Sequence, residues 1–195
     1  MTESVTSPAE FSLTNGSHIR IQAVTPYVFR VRVRSDDSFP EPGLVRYGVI
    51  DSDVPPAPMT VNDEGDGLSL STGLTVLSID RTDGRITFEN ADGGVLLGEC
   101  EAPVSALESG FRAAFALDDG ERLYGLADES RDRLQKRGHR AQIVVRNVVS
   151  YSPIPFLMST GGWAIFFNTT WFHHYDAGAS QSDRLVYSAP QGGLD

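Results

Sequence analysis

Apolar and polar residues alternate with a period of two along most of the chain. Ile19 and Ile21 alternate with His18, Arg20 and Gln22, the period of a half-buried strand. After a break at Thr25-Pro26, Tyr27, Phe29, Val31 and Val33 alternate with Arg30, Arg32 and Arg34, which predicts a second strand with one apolar and one cationic face. The arginine row reads as a solvated strand face. Residues 35–43 read as loop, Leu44 to Ile50 as a short strand, and Asp51 to Gly67, carrying Pro55, Pro56 and Pro58, as a surface loop. Leu68–Leu70, Leu74–Ile79, Ile86–Phe88 and Val95–Leu97 then form a meander, with turns at Thr82-Asp83-Gly84 and at Asn90 to Gly94.

The second half is punctuated more heavily. Phe111, Ala113, Phe115 and Leu117 share one strand face, and Asp118-Asp119-Gly120 turns into Leu123-Tyr124. A short helical turn is expected over Ser130 to Lys136, capped by Ser130. In Tyr151 to Ser159, Pro153 and Pro155 push their neighbours toward extended backbone. Pro155 therefore opens a strand. Gly161-Gly162 turns that strand into the run Trp163 to Asn168, giving a β-hairpin expected to be deeply buried.

Many short strands separated by Gly, Asp and Pro turns, with no parallel crossover pattern, predict an all-β fold: an antiparallel β-sandwich of two stacked sheets with minor helix. A chain of 195 residues with 40% hydrophobic residues, 19 glycines and 11 prolines suits one such domain, spanning 1–195. The formal charge of −10 argues against nucleic acid and anionic membrane surfaces as partners. The first ten residues lack a basic start and an apolar core of signal-peptide length, and Cys100 is the sole cysteine. A cytoplasmic location is the expectation.

Taken in order, Phe111 to Phe115, Leu123-Tyr124-Gly125-Leu126-Ala127-Asp128-Glu129, Lys136-Arg137-Gly138, Tyr151 to Ser159, Trp163 to Asn168 and Tyr175 to Gly178 resemble the amino-terminal domain of glycoside hydrolase family 31. This family contains α-glucosidases and α-xylosidases. Its members typically read Tyr-Gly-Leu-Gly-Glu where this chain has Ala127-Asp128 before Glu129. The resemblance implies a large galactose-mutarotase-like sandwich (a supersandwich) that packs on a catalytic (β/α)8 barrel of the same parent chain. It also implies that the family's catalytic aspartates lie on that barrel, which needs about 250 residues of its own. The stretch Gln191 to Asp195 resembles the point where relatives continue toward the barrel. The chain is therefore expected to be truncated before it and inactive alone.

Hydrolysis of a glycosidic bond needs two carboxyl groups facing each other across the sugar, and no acidic pair here carries such a pattern; none is assigned as catalytic. His173, His174 and Asp176 invite a metal reading, but neighbours on a strand point to opposite faces. Neither metal nor cofactor is expected. By resemblance, the segment after Ile143-Val144-Val145 reaches over the barrel mouth. Arg146, Asn147 and Tyr151 are its candidates for contacting a carbohydrate substrate: a forked donor, an amide and an amphipathic ring suit hydroxyl-rich ligands. Trp163, Trp171, Phe172 and Tyr175 could form a sugar-stacking platform or pack internally. A free-standing carbohydrate-binding module would use the platform. A sugar mutarotase would instead need His139 and Glu129 to converge in a cleft.

Overall fold

A computed structural model describes residues 2–6, 8–51, 53–65, 67–100, 105–106, 110–129, 131–144 and 152–195. In chain order the elements begin with β1 (Thr2–Val5), β2 (Ala9–Ser12), β3 (His18–Thr25), β4 (Val28–Arg34) and α1 (Gly43–Arg46). The meander follows as β5 (Met59–Glu64), β6 (Gly67–Ser71), β7 (Thr75–Asp80), β8 (Ile86–Asn90) and β9 (Val95–Gly98). Then come β10 (Ser105–Ala106), β11 (Phe111–Ala116), β12 (Leu123–Gly125) and β13 (His139–Ile143). The last four are β14 (Phe156–Ser159), β15 (Ala164–Phe166), β16 (His173–Ala177) and β17 (Arg184–Ala189). Helix amounts to 2% of the chain, far from the average of about a third, so the all-β expectation holds.

Among the described residues the strands form four antiparallel sheets where two had been expected. These are β1-β5-β6-β7-β8-β9, β10-β11-β17-β16-β13, β12-β14-β15 and β2-β3-β4. The strands of clean alternation turn their apolar period inward. Leu68, Leu70, Leu77 and Ile79 from the six-stranded sheet, and Ile19 and Ile21 from β3, are at most 2% exposed. A fully buried side chain of this size contributes about 1.5–3 kcal/mol. The Phe29 and Phe88 rings, 6.2 Å apart, join the β2-β3-β4 sheet to the six-stranded one. At Glu99 the six-stranded sheet meets the five-stranded one, through an antiparallel bridge to Phe115.

Several local expectations are corrected. Leu44 to Ile50 is not a strand: Gly43–Arg46 makes one helical turn, closed by the Tyr47 and Gly48 N–H groups donating to Gly43 and Val45 carbonyls. Gly43 is needed there because a Cβ would sit 2.8 Å from Thr170 Oγ1. The stretch read as loop from Asp51 to Gly67 contains β5, whose period is hidden by the polar side chains of Asn62 and Asp63. The expected cap Ser130 lies outside the described residues, and residues 131–136 make a turn and a bend leading to a bridge from Gln135 to Tyr124 rather than a helical run. The arginine face is not solvated. Arg32 is 5% exposed, and Arg30 and Arg32 both grip the Asp195 carboxylate, at 2.6 and 3.2 Å. The Asp195 hydrogen bond pushes the Arg30 guanidinium further up in pKa, while burial pulls Arg32 down.

The β14–β15 hairpin forms as read, with Pro155 just ahead of β14, but only one of its faces is buried. Leu157 is fully buried, whereas Met158 and Phe166 are 45% and 36% exposed.

Candidate functional site

Arg146, Asn147 and Tyr151 lie outside the described residues, but both feet of their segment are defined. On one side β13 pairs along its whole length with β16, Ile143 opposite His173. On the other, the Ser152 N–H donates to Asp128 Oδ2 at 2.8 Å. That bond, with Arg131 3.2 Å away, holds the Asp128 carboxyl below the usual carboxylate range.

Asp128 belongs to a turn of unusual backbone. Gly125 passes so close to β14 that a Cβ would lie 2.2 Å from the Phe156 carbonyl oxygen. Leu126 and Ala127 follow in the left-handed region, with φ of 62° and 45°. Such conformations cost L-residues about 1–2 kcal/mol each. They persist where the surroundings over-determine them: Leu126 is 1% exposed and its N–H donates to Phe156 O at 2.8 Å.

The charged residues of the same motifs act as struts. Lys136, 3% exposed, donates through Nζ to the Glu129 and Arg133 carbonyls at 2.7 and 2.6 Å. Arg137 donates to the carbonyls of Asp118, Glu121 and Ser182. Glu121, not singled out from sequence, accepts from Trp163 Nε1 at 2.7 Å, from the Asp118 N–H at 2.9 Å and from the Ser159 hydroxyl. One carboxylate thus fixes the β14–β15 hairpin to the turn before β12.

His139 and Glu129 do come together, with Nε2 and Oε1 3.9 Å apart. Burial pulls the His139 imidazole below its ordinary pKa, with Arg133 adding to the shift and Glu129 opposing it. They contact each other instead of facing across a sugar-sized gap, so the mutarotase alternative gains nothing. His173 and His174 alternate, one buried and one half-buried. The aromatic platform divides: Trp163 and Tyr175 are core, at 9% and 2% exposure, while Trp171 and Phe172 are 55% and 37% exposed.

Two concavities stand out among the described residues. An apolar groove of about 540 Å3 runs past Phe29, Phe88, Phe115, Trp163 and Phe166. A polar cleft of about 750 Å3 lies over the six-stranded sheet along Asn62, Ser69, Ser78 and Thr87. Glu99 borders both. It is 8% exposed, accepts the Ile86 N–H at 2.9 Å, and burial pushes its carboxyl up to about 7.

The groove continues onto a surface that sequence reading missed. On the three-stranded sheet Tyr124, Met158 and Ala164 stand opposite one another, as do Phe156 and Phe166. With Leu157 facing inward, these residues present an apolar row outward. The signal was in the sequence: β14 and β15 are apolar at both parities.

These features define an all-β domain with an uncovered apolar face beside a strained, heavily braced turn. The chain belongs to the glycosyl hydrolase 31 N-terminal galactose mutarotase-like domain family, whose sequence model matches residues 18–176. Among solved structures it is similar to a family 31 dextranase from Flavobacterium johnsoniae complexed with isomaltotriose. The TM-score is 0.82 at 20% identity, over 100% of this chain and 25% of that one. It is also similar to a family 31 α-xylosidase from Xanthomonas citri, with a TM-score of 0.68 at 22% identity over 88% and 19%. A third is the cycloalternan-forming enzyme of Listeria monocytogenes, with a TM-score of 0.73 at 16% identity over 99% and 21%. The chain thus spans a quarter or less of these relatives' lengths. No curated protein matches it in sequence.

Proposed function

We propose that residues 1–195 form a single domain, the N-terminal accessory sandwich of a retaining α-glycosidase of the α-glucosidase or α-xylosidase type. It packs on the catalytic barrel of the same parent chain and lends the segment carrying Arg146, Asn147 and Tyr151 to the sugar site. The observation that carries this reading is the family match over residues 18–176, joined to an apolar outer face on β12-β14-β15 that suits burial against a further domain. Hydrolysis belongs to the parent enzyme, and the 195-residue chain alone is inactive on aryl α-glucosides and α-xylosides. The charge of −10 supports a carbohydrate partner over nucleic acid or anionic membrane. No helix among the described residues is long and apolar enough to cross a membrane; the proposed location is cytoplasmic.

In the parent enzyme, Asn147→Ala should lower kcat/KM about tenfold, a loss of roughly 1.4 kcal/mol of transition-state binding, while leaving the unfolding midpoint in place. A fallen midpoint with normal kinetics for the folded fraction would make Asn147 structural instead. The exposed indole of Trp171 favours a second reading, a carbohydrate-binding module acting without a barrel. Titrating the 195-residue chain with glucose oligosaccharides separates the two: saturable quenching of tryptophan fluorescence, lost in Trp171→Ala, selects the module.

A further inference from the structure

The five-stranded sheet holds a polar cluster in its core that the proposed function does not use. His173 and Tyr175 lie two apart on β16 and face one side, and Tyr187 on β17 is the cross-strand partner of Tyr175. Their exposures are 2%, 2% and 0%. Ring centroids lie 5.2 Å apart for His173 and Tyr187, 4.7 Å for the two tyrosines and 6.1 Å for His173 and Tyr175. Phe167 closes the cluster, stacked on Tyr187 at 3.5 Å and edge-on to Tyr175 at 5.9 Å.

The chemistry of each polar atom is fixed. His173 Nδ1 lies 2.6 Å from the Trp171 carbonyl oxygen. A carbonyl can only accept, so Nδ1 carries the proton. Burial pulls this imidazole below its ordinary pKa, which keeps the ring neutral and leaves Nε2 a bare acceptor. Nε2, Tyr175 Oη and Tyr187 Oη have no partner among the described residues. Native cores leave very few buried polar atoms unpaired, and three on one face of adjacent strands calls for a shared partner.

We propose that this layer is an internal hydration site, in which buried water bridges His173 Nε2, Tyr175 Oη and Tyr187 Oη and ties β16 to β17 through their side chains. The guest must donate to Nε2, and either donates to or accepts from each hydroxyl. The aromatic walls and the neutral imidazole disfavour an ion, and the ring spacings leave no room for a sugar. Water supplies two donors and two acceptors, and buried waters typically make about three hydrogen bonds.

A crystal structure of the protein at about 1.5 Å resolution or better should show solvent density within hydrogen-bond reach of at least two of the three atoms. Tyr175→Phe and Tyr187→Phe should each raise the unfolded-to-folded ratio about tenfold in denaturant titration, because the remaining atoms lose their bridge. Empty density overturns the site. So do variants as stable as the parent, which is what deleting an unpaired hydroxyl gives. Should either variant fail to fold, the Nε2 nitrogen resonance of His173 in the unsubstituted protein decides: a hydrogen-bonded acceptor supports the site, and a free lone pair refutes it.

Discussion

Two sheets of this domain obey the same period-two rule and present opposite chemistry to the outside. Across the six-stranded sheet, Asn62, Ser69, Ser78 and Thr87 stand in register as a polar ladder. An antiparallel sheet with one packed face and one polar face is at rest in water. Across the three-stranded sheet, the equivalent ladder is Tyr124, Met158 and Ala164, with Phe156 and Phe166 beside it. Its inner face is as well buried as that of the larger sheet, with Leu123 and Leu157 at 0% exposure. The outer apolar row is therefore not a consequence of poor packing. Under the proposed function the small sheet is a middle layer, covered by a further domain, and the large one an outer wall.

The first way to break this comparison is to remove what holds the small sheet from within. Glu121 is 8% exposed and joins Trp163, Ser159 and the Asp118 N–H. Glu121→Ala strands three neutral donors and should cost about 3 kcal/mol in chemical denaturation, roughly 1 kcal/mol for each. A loss under about 1 kcal/mol would mean that the hairpin is held by its apolar contacts alone.

The second concerns Glu99, where the outer wall meets the core. Burial pushes its carboxyl up to about 7 in the folded chain, from an ordinary 4.5. Below pH 4.5 both states are protonated and the burial is without cost. Between 4.5 and 7 the unfolded chain loses its proton first, so stability falls as pH rises, and above 7 the penalty is complete at about 3 kcal/mol. Glu99→Gln keeps an acceptor for the Ile86 N–H and removes the charge. It should raise stability by up to that amount at pH 8 and by nothing at pH 4, as read from denaturation midpoints at the two pH values. An equal gain at both would assign the effect to packing.

How much of this was legible beforehand follows from which physics each feature obeys. Strands with clean alternation, such as His18 to Ala23 and Phe111 to Leu117, stand where the sequence predicts them, because burial of one face dictates the period. Met59–Glu64 escaped because its pairing partner, not its own composition, makes it a strand. The arginine face of β4 looked solvated because Asp195 is 165 residues from Arg30 and no local pattern announces the pair. The struts Lys136 and Arg137 were visible as motif residues, but their acceptors are backbone carbonyls, which sequence does not mark. The candidate residues Arg146, Asn147 and Tyr151 came from family resemblance, and their test remains kinetic.

A third experiment probes the turn at the foot of that segment. Ala127 has φ of 45°, in the left-handed region that favours glycine. An exposed alanine there has little packing to offset its strain, whereas neighbouring Leu126 is buried. Ala127→Gly should stabilise the domain by about 1 kcal/mol, the left-handed penalty less the extra chain entropy of glycine. If the variant loses stability, the turn relaxes in solution and the strain is not stored there.

The smallest effect on folding carries the sharpest test of the two outer faces. Met158 and Phe166 sit at the margin of the domain's own core, with 45% and 36% of their surfaces exposed. Replacing both by threonine keeps strand propensity. It should leave the unfolding free energy of the 195-residue chain within about 0.5 kcal/mol per site. The same double substitution should sharply reduce binding of a hydrophobic-surface dye, because it breaks the contiguous row with Phe156 and Ala164. The mirror experiment, Ser78→Val with Thr87→Val on the polar ladder, should raise dye binding on a face that is otherwise silent. In the parent enzyme the threonine pair should cost about 0.5–1.5 kcal/mol of domain association for each side chain, the share of full burial that its remaining exposure leaves, measured as earlier unfolding or separation of this domain. Equal small effects in both settings would mean that the small sheet faces solvent in the parent as well, and the distinction between middle layer and outer wall would fall.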